Sequence, residues 1–300
     1  MKVLFMGTPE FAKISLDYLV KNEYNIAGVV TQPDKPAGRK MILTPSPVKE
    51  YASGENIPVY QPQSLKGEEF FDLLKSINPD IIVVVAYGKL IPKNVLDFPK
   101  LGCVNVHGSL LPKYRGASPI NDAIINGEKI TGITTQYMEE GIDTGDMILK
   151  ESIKIGENET YGELLDKLAQ IGGRLLIDTL EQIQGGTAKR EKQPDDGASY
   201  VGKIDNTMCE IDWNLTTQEI HDKIRGLSPV PAAFTYLNGR KLKIFKSRIS
   251  DDGIVELLEV QIEGGKRMNA RDFANGRKNT EKRQNKVIQS CRFLSYLNHL

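Results

Sequence analysis

The sequence predicts an α/β protein: a doubly wound, mostly parallel sheet, then a second, smaller β-rich domain. Three observations carry this reading. Strand-like and helix-like segments alternate through the first half of the chain. Within that alternation, "DIIVVVAYG" from Asp80 is apolar on both faces, as the centre of a parallel sheet covered by helices must be. Beyond a polar stretch, "FTYLNGRKLKIFKSRI" from Phe234 sets two strand patterns around Asn238-Gly239, a strong hairpin signal.

The elements follow in order. "KVLFMG", Lys2 to Gly7, is a short buried-type strand. In the next turn Thr8 can cap a helix and Pro9 suits its first position. From Pro9 to Lys21, Phe11, Ile14, Leu16, Tyr18 and Leu19 keep a helical pattern. "NIAGVVTQ" from Asn25 is a strand. Thr31 to Lys49 is a Pro-rich loop, basic through Lys35, Arg39, Lys40 and Lys49 apart from Asp34; loops of this length are functional flaps or plain connections. "LGCVNVHG" and "GITTQYM" are further strands, with a short helix from Ser118 to Asn126 between them.

A long helix from Thr160 to Ile183 closes the first domain, and Thr160 with Glu163 reads as a capping box. The polar, aperiodic stretch that follows reads as a linker. The expected layout is a first domain over 1–188, a linker over 189–206, a second domain over 207–278 and a basic tail over 279–300. In the second domain "TTQEIHDKIRGL" is a helix, with His221 expected at its surface or boundary and Trp213 as a core anchor. After the hairpin, "GIVELLEVQI" is a strand ended by Gly264-Gly265, and "NARDFANG" a short helix stopped by Gly276.

Composition narrows the class. The 300 residues carry no net charge. From Gly239 onward 14 Lys and Arg stand against 7 Asp and Glu, a local +7, so the rest of the chain carries −7. That asymmetry suits an anionic partner and also an ordinary solvated basic face. No apolar run reaches membrane-spanning length, and the N-terminus lacks the pattern of a signal peptide. Cys103, Cys209 and Cys291 are odd in number and free of CxxC pairing. The expectation is a cytoplasmic protein with no metal site and no membrane contact.

Chemistry concentrates in two places. In the strand "CVNVHG", Asn105 and His107 share a face because side chains alternate. Two donors converging at a strand's carboxyl end can hold an oxyanion, although such a pair is more often structural. Cys103, on the same face and deeper, reads as a packed core thiol. The second place is "EEGIDTGD", where Asp143 sits in a Gly-bounded loop. That is an Asx-type turn or a carboxylate that orients His107. The first turn, "MGTPEF", has one glycine, and Glu10 would repel a phosphate there. This excludes a dinucleotide site while leaving the Rossmann-like fold.

Together "FMGTPEFA", "TQPDKPAGR", "PSPVK", "VVVAYGKLIP", "GCVNVHGSLLPKYRGASPI", "GIDTGDM" and "IDW" resemble the folate-dependent formyltransferases, and among them the methionyl-tRNA formyltransferases. The resemblance runs through nearly all of the first 245 residues. It implies a Rossmann-like catalytic domain joined to an OB-like C-terminal domain. It also implies transfer of formyl from 10-formyltetrahydrofolate to the amino group of methionine on initiator tRNA, by a monomer. By the same resemblance Asn105, His107 and Asp143 are the catalytic trio. Ser109, Leu110, Leu111 and Pro112 contact the folate, and Val85, Ala86, Tyr87, Gly88, Leu90 and Ile91 line its pterin side. Arg39, with Lys35 and Lys40, is the group that grips tRNA. A transferase acting on an amino sugar or another amine, a hydrolase of the same donor, and a non-catalytic binder are the alternatives.

The sequence departs from that family after "LKIFKSRIS", where further strands are expected and "DDGIVELLEVQIEGGKRM" follows almost directly. The OB-like domain is therefore expected to be shortened, with open edges. The last stretch, "NTEKRQNKVIQSCRFLSYLNHL", has no counterpart in the resemblance.

Overall fold

The structure, a computed structural model, describes residues 1–37 and 41–281. In chain order the elements are β1 (Lys2–Gly7), α1 (Glu10–Lys21), β2 (Asn25–Val30), β3 (Lys35–Ala37), β4 (Ile42–Thr44), α2 (Pro47–Gly54) and β5 (Val59–Tyr60). Then come α3 (Glu68–Ile77), β6 (Ile81–Val85), α4 (Lys93–Leu96), β7 (Cys103–His107), β8 (Arg115–Gly116), α5 (Pro119–Ile125), β9 (Ile130–Tyr137) and β10 (Met147–Lys154). The chain continues through α6 (Tyr161–Gln184), β11 (Tyr200–Val201), α7 (Thr217–Gly226), β12 (Ala233–Leu237), β13 (Arg240–Ile249), β14 (Val255–Ile262), β15 (Met268–Asn269) and α8 (Ala270–Glu281).

These form two compact units. The first holds residues 1–117, 132–153 and 165–201. Its seven-stranded sheet runs β10-β9-β7-β6-β1-β2-β5. Strands β7, β6, β1, β2 and β5 are parallel, and β9 is antiparallel to β7. Val3 to Met6 and Ile81 to Val85 are almost fully buried, which is why their runs are apolar on both faces. Each such side chain contributes about 1.5–3 kcal/mol on burial.

Alternation decides what each face meets. Leu4, Met6, Ile82, Val84 and Cys103 pack with Phe70, Leu74, Val95 and Leu96 from α3 and α4. On the opposite face α6 comes close at Gly172 and Gly173. A Cβ on Gly172 would sit 3.1 Å from Val106, and one on Gly173 2.3 Å from the Tyr18 ring. The Gly-Gly pair inside a long helix, costly in helix propensity, is thus explained by packing.

The second unit holds 118–131, 154–164 and the chain from 202. A four-stranded sheet, β12-β13-β14-β15, packs on α7 around Ile220, Ile224, Leu242, Ile244 and Leu257. The hairpin turns at Asn238 and Gly239, both at positive φ, as a tight two-residue turn requires. β14 and β15 share only two register pairs. Trp213 packs against this core and donates to Thr235 Oγ1 at 3.0 Å.

Several expectations are corrected. Thr8 does not cap α1; its hydroxyl donates to Tyr87 O at 3.2 Å instead. His221 is not superficial but 2% exposed. Its Nε2 donates to Glu157 O at 3.1 Å, and its Nδ1 lies 2.9 Å from Ser247 Oγ. Burial lowers its pKa. α8 runs through Gly276 to Glu281 rather than stopping there.

The stretch 189–206 is no free linker. Glu191 bridges to Met147, and β11 pairs in parallel with β8. Residues up to 201 belong to the first unit, because the stretch satisfies backbone groups of the loop after β7. The second unit also takes in 118–131 and 154–164, so the division at 188 does not follow the packing. Of the expected basic tail, residues 282–300 lie outside the described residues, as do Arg39 and Lys40. Among the described residues no helix is long and apolar enough to cross a membrane.

Candidate active site

Asn105 and His107 end β7 on the face that carries Cys103, and both are buried, at 8% and 5% exposure. Cys103 lies deeper, with its sulfur 3.5 Å from Leu96 O, and burial pushes its thiol up to about 12. It is a core thiol. Parallel pairing sets Asn105 beside Val84 of β6, so the segment leaving β6 emerges next to the pair. On the other side β9 sets Gln136 opposite Asn105 and Thr134 opposite His107.

Asp143 comes from the loop between β9 and β10, in the left-handed region at φ 52°. Its Oδ1 accepts from Asn105 Nδ2 at 3.1 Å and Gln136 Nε2 at 2.9 Å. Its Oδ2 accepts from the Gly116 N–H at 2.8 Å and lies 3.6 Å from His107 Nδ1. A carboxylate that only accepts fixes which end of the Asn105 amide faces it. One Asn105 N–H is used there, and among the described residues the second has no acceptor.

His107 is oriented from behind. Its Nε2 is 2.9 Å from Tyr114 O. A carbonyl cannot donate, so Nε2 carries the hydrogen. Nδ1 is then the nitrogen that faces Asp143, at a separation longer than a hydrogen bond.

The loop after His107 is held by its own hydrogen bonds. Ser109 Oγ donates to Lys113 O at 2.6 Å, and Thr134 Oγ1 donates to Ser109 O at 2.7 Å and accepts from Leu111 N–H at 3.1 Å. Ser109 and Leu111 are buried, whereas Leu110 and Pro112 are partly exposed. In the segment after β6, Val85 and Tyr87 are buried, and the Tyr87 ring belongs to the core on the α3 and α4 side. Its phenol is pushed up to about 12 by burial. Tyr87 O is the part turned to other groups, accepting from Gln32 Nε2 at 3.0 Å. Ala86 and Gly88, both at positive φ, and Leu90 are exposed, and Ile91 is partly so. Ala86, Leu90, Ile91, Leu110 and Pro112 are thus the apolar side chains of the two segments that keep exposed surface.

Of the basic group expected on the Pro-rich loop, Lys35 lies exposed on β3. Lys49 is turned to Asp34 at 2.7 Å and to Gln61 at 2.8 Å.

Sequence reasoning missed Gln136, Tyr114, Arg115 and Gln193. For Gln136 a signal existed: it continues, at period two from Thr134, a polar face inside a strand. Gln193 had none, because its stretch is aperiodic. Its Nε2 reaches Asp143 O at 2.7 Å, Gly145 O at 2.8 Å and Gln136 Oε1 at 3.1 Å.

The family profile described as "Formyl transferase" matches residues 1–180. The chain belongs to the formyl transferase family. A second profile, "Formyl transferase, C-terminal domain", matches residues 203–252 and ends just before β14. Among curated formyl transferases the chain is 45% identical to the methionyl-tRNA formyltransferase of Acetivibrio thermocellus, over 93% of this chain and 97% of the relative. It is 52% identical to that of Clostridioides difficile, over 84% of this chain and 82% of the relative. Among solved structures, a sugar 3N-formyl transferase, WlaRD, superposes with a TM-score of 0.64 at 23% identity, over 84% of this chain and 87% of that one. At that identity the likeness speaks for the fold. The residues brought together here, Asn105, His107 and Asp143, all lie inside the formyl transferase match.

Proposed function

We propose that this chain transfers the formyl group of 10-formyltetrahydrofolate to the free amine of methionine on initiator methionyl-tRNA, acting as a cytoplasmic monomer. Family membership and the long alignments with proteins named methionyl-tRNA formyltransferase support the reaction. The observation that carries it is the meeting of an amide, an imidazole and a carboxylate at the end of β7.

Attack of an amine on a formyl carbon develops negative charge on the carbonyl oxygen and leaves a proton on the incoming nitrogen. Asn105 holds a spare N–H beside the carboxylate and serves the oxygen. One such donor is worth about 3 kcal/mol in the transition state. The expectation that His107 also serves the oxygen is revised, because its Nε2–H is committed to Tyr114 O. Asp143 Oδ2 and His107 Nδ1 instead form the pair that takes the amine proton and passes it to the leaving nitrogen. No covalent intermediate with the protein is needed, since one amide-like bond replaces another. In this reading the donor's ring system meets the exposed apolar side chains of the segments after β6 and β7, Ala86, Leu90, Ile91, Leu110 and Pro112, and Arg39, Lys35 and Lys40 meet the tRNA phosphates.

The test is transfer of labelled formyl from 10-formyltetrahydrofolate to methionyl initiator tRNA. Methionyl elongator tRNA, a nucleotide-linked amino sugar and water are the competing acceptors. Preferential labelling of the initiator tRNA is the expected result. Labelling of the sugar, or release of formate alone, would overturn the assignment of acceptor.

A further inference from the structure

We infer that Gln193, backed by Arg115, is a positioning residue for the reaction, acting through Asp143 from a stretch that looks like a linker. This rests on the transfer reading above for its kinetic part only. The amide of Gln193 has two hydrogens, and its two shortest contacts are the carbonyls of Asp143 and Gly145, at 2.7 and 2.8 Å. They flank the backbone that holds Asp143 at positive φ, a conformation uncommon for L-residues though more accessible to Asp than to most. Gln193 also approaches Gln136 Oε1 at 3.1 Å, and Gln136 donates to Asp143 Oδ1. One side chain thus braces the loop backbone and one of the carboxylate's own donors.

Gln193 is oriented in turn. Its Oε1 accepts from Arg115 Nε at 2.9 Å, which fixes Nε2 toward the carbonyls. Arg115 is 7% exposed and donates from Nη1 to Tyr200 OH at 2.9 Å. Its chain neighbours are Tyr114, whose carbonyl holds His107, and Gly116, whose N–H holds Asp143 Oδ2. The bond between Arg115 and Gln193 therefore ties the loop that orients the imidazole to the loop that presents the carboxylate. Among the described residues neither side chain hydrogen-bonds to Asn105 or His107, so their effect passes through the placement of Asp143.

The variant of choice is Gln193→Glu, nearly isosteric, which still accepts from Arg115 but sets a carboxylate against two carbonyls. Gln193→Ala is its partner. Each is compared with the parent by folate-dependent transfer kinetics, thermal unfolding and the NMR titration of isotope-labelled His107. The expected result is a fall in kcat of about 10- to 100-fold, the scale of an ångström-level misplacement. KM for the formyl donor should change less than about twofold, because neither residue is among those proposed to meet the donor. On an Asp143→Asn background Gln193→Glu should add almost nothing, since residues acting as one unit are not additive. The His107 titration should move in both Gln193 variants. An unchanged kcat and an unchanged titration in a folded Gln193→Glu protein would overturn the inference, as would a full additional loss on the Asp143→Asn background. If the parent itself fails to formylate any acceptor, the functional reading falls, and the His107 titration still decides the role of Gln193.

Discussion

At the scale of the residue, Asp143 organises the site. Three donors from three separate places, Asn105, Gln136 and Gly116, converge on its two oxygens. Replacing Asp143 by Asn puts an N–H against at least one of those donors, so the loop must shift. Asp143→Asn and Asn105→Ala are each expected to lower kcat by about 10²- to 10³-fold, the range seen when one oxyanion donor or its support is removed. Single-turnover formyl transfer measures this, and turnover within threefold of the parent in either variant would sink the assigned roles. Period-two spacing set Asn105 and His107 on one face and the Gly-bounded loop drew attention to Asp143, but the joint role of the three came from the family resemblance and not from the pattern. Which nitrogen of His107 is free was not legible. That depends on Tyr114 O, seven residues along in an irregular loop that no periodicity describes.

At the scale of the element, the short pair of β8 with β11 does more than its two residues suggest. A Cβ on Gly116 would lie 2.1 Å from Val201 O, and Gly116 sits at φ 118°. Gly116→Ala must therefore push β11 away and draw its own N–H off Asp143. The expected outcome is a loss on the order of 1–3 kcal/mol of stability together with most of the turnover. Urea unfolding and transfer kinetics on the same samples check it; an active variant of parental stability would contradict the pairing. The long elements were readable from pattern, as in the both-faces apolar β6, the amphipathic α1 and the capping box of α6. β8 and β11 were not, since two-residue strands have no period and their pairing joins residues some 85 apart. The same limit explains why 189–206 looked like a linker: its polar side chains find partners that only the tertiary fold supplies.

At the scale of the whole molecule, pH acts through the second unit. His221 is buried there with both nitrogens engaged, and burial lowers its pKa. The unfolded chain takes up its proton near pH 6.5, while the folded chain holds off to lower pH. Stability carried by His221 is thus fully present above about pH 6.5 and is lost as pH falls toward the folded value. The slope reaches at most about 1.4 kcal/mol per pH unit. His221→Gln should flatten this part of the stability profile below about pH 6.5, as read from denaturant midpoints; an unchanged slope would remove His221 as the cause. Beside it, Asp222 and Arg225 pair at 2.7 Å in full burial, and Arg225 also donates to Gly156 O and Glu159 O. Those carbonyls belong to a segment that precedes α6, yet they sit in the same compact body as α7. The division into an α/β unit and a β-rich unit was legible from composition and hairpin chemistry. The route of the chain between them was not, because excursions of 14 and 11 residues leave no compositional trace. The polypeptide passes from one body to the other five times. The two halves therefore cannot be exchanged among relatives as cassettes at a single junction. A recombinant spliced near residue 190 inherits α5 and the 154–164 segment from one parent and their packing surface from the other, so viable chimaeras will be those whose parents match at all three stretches.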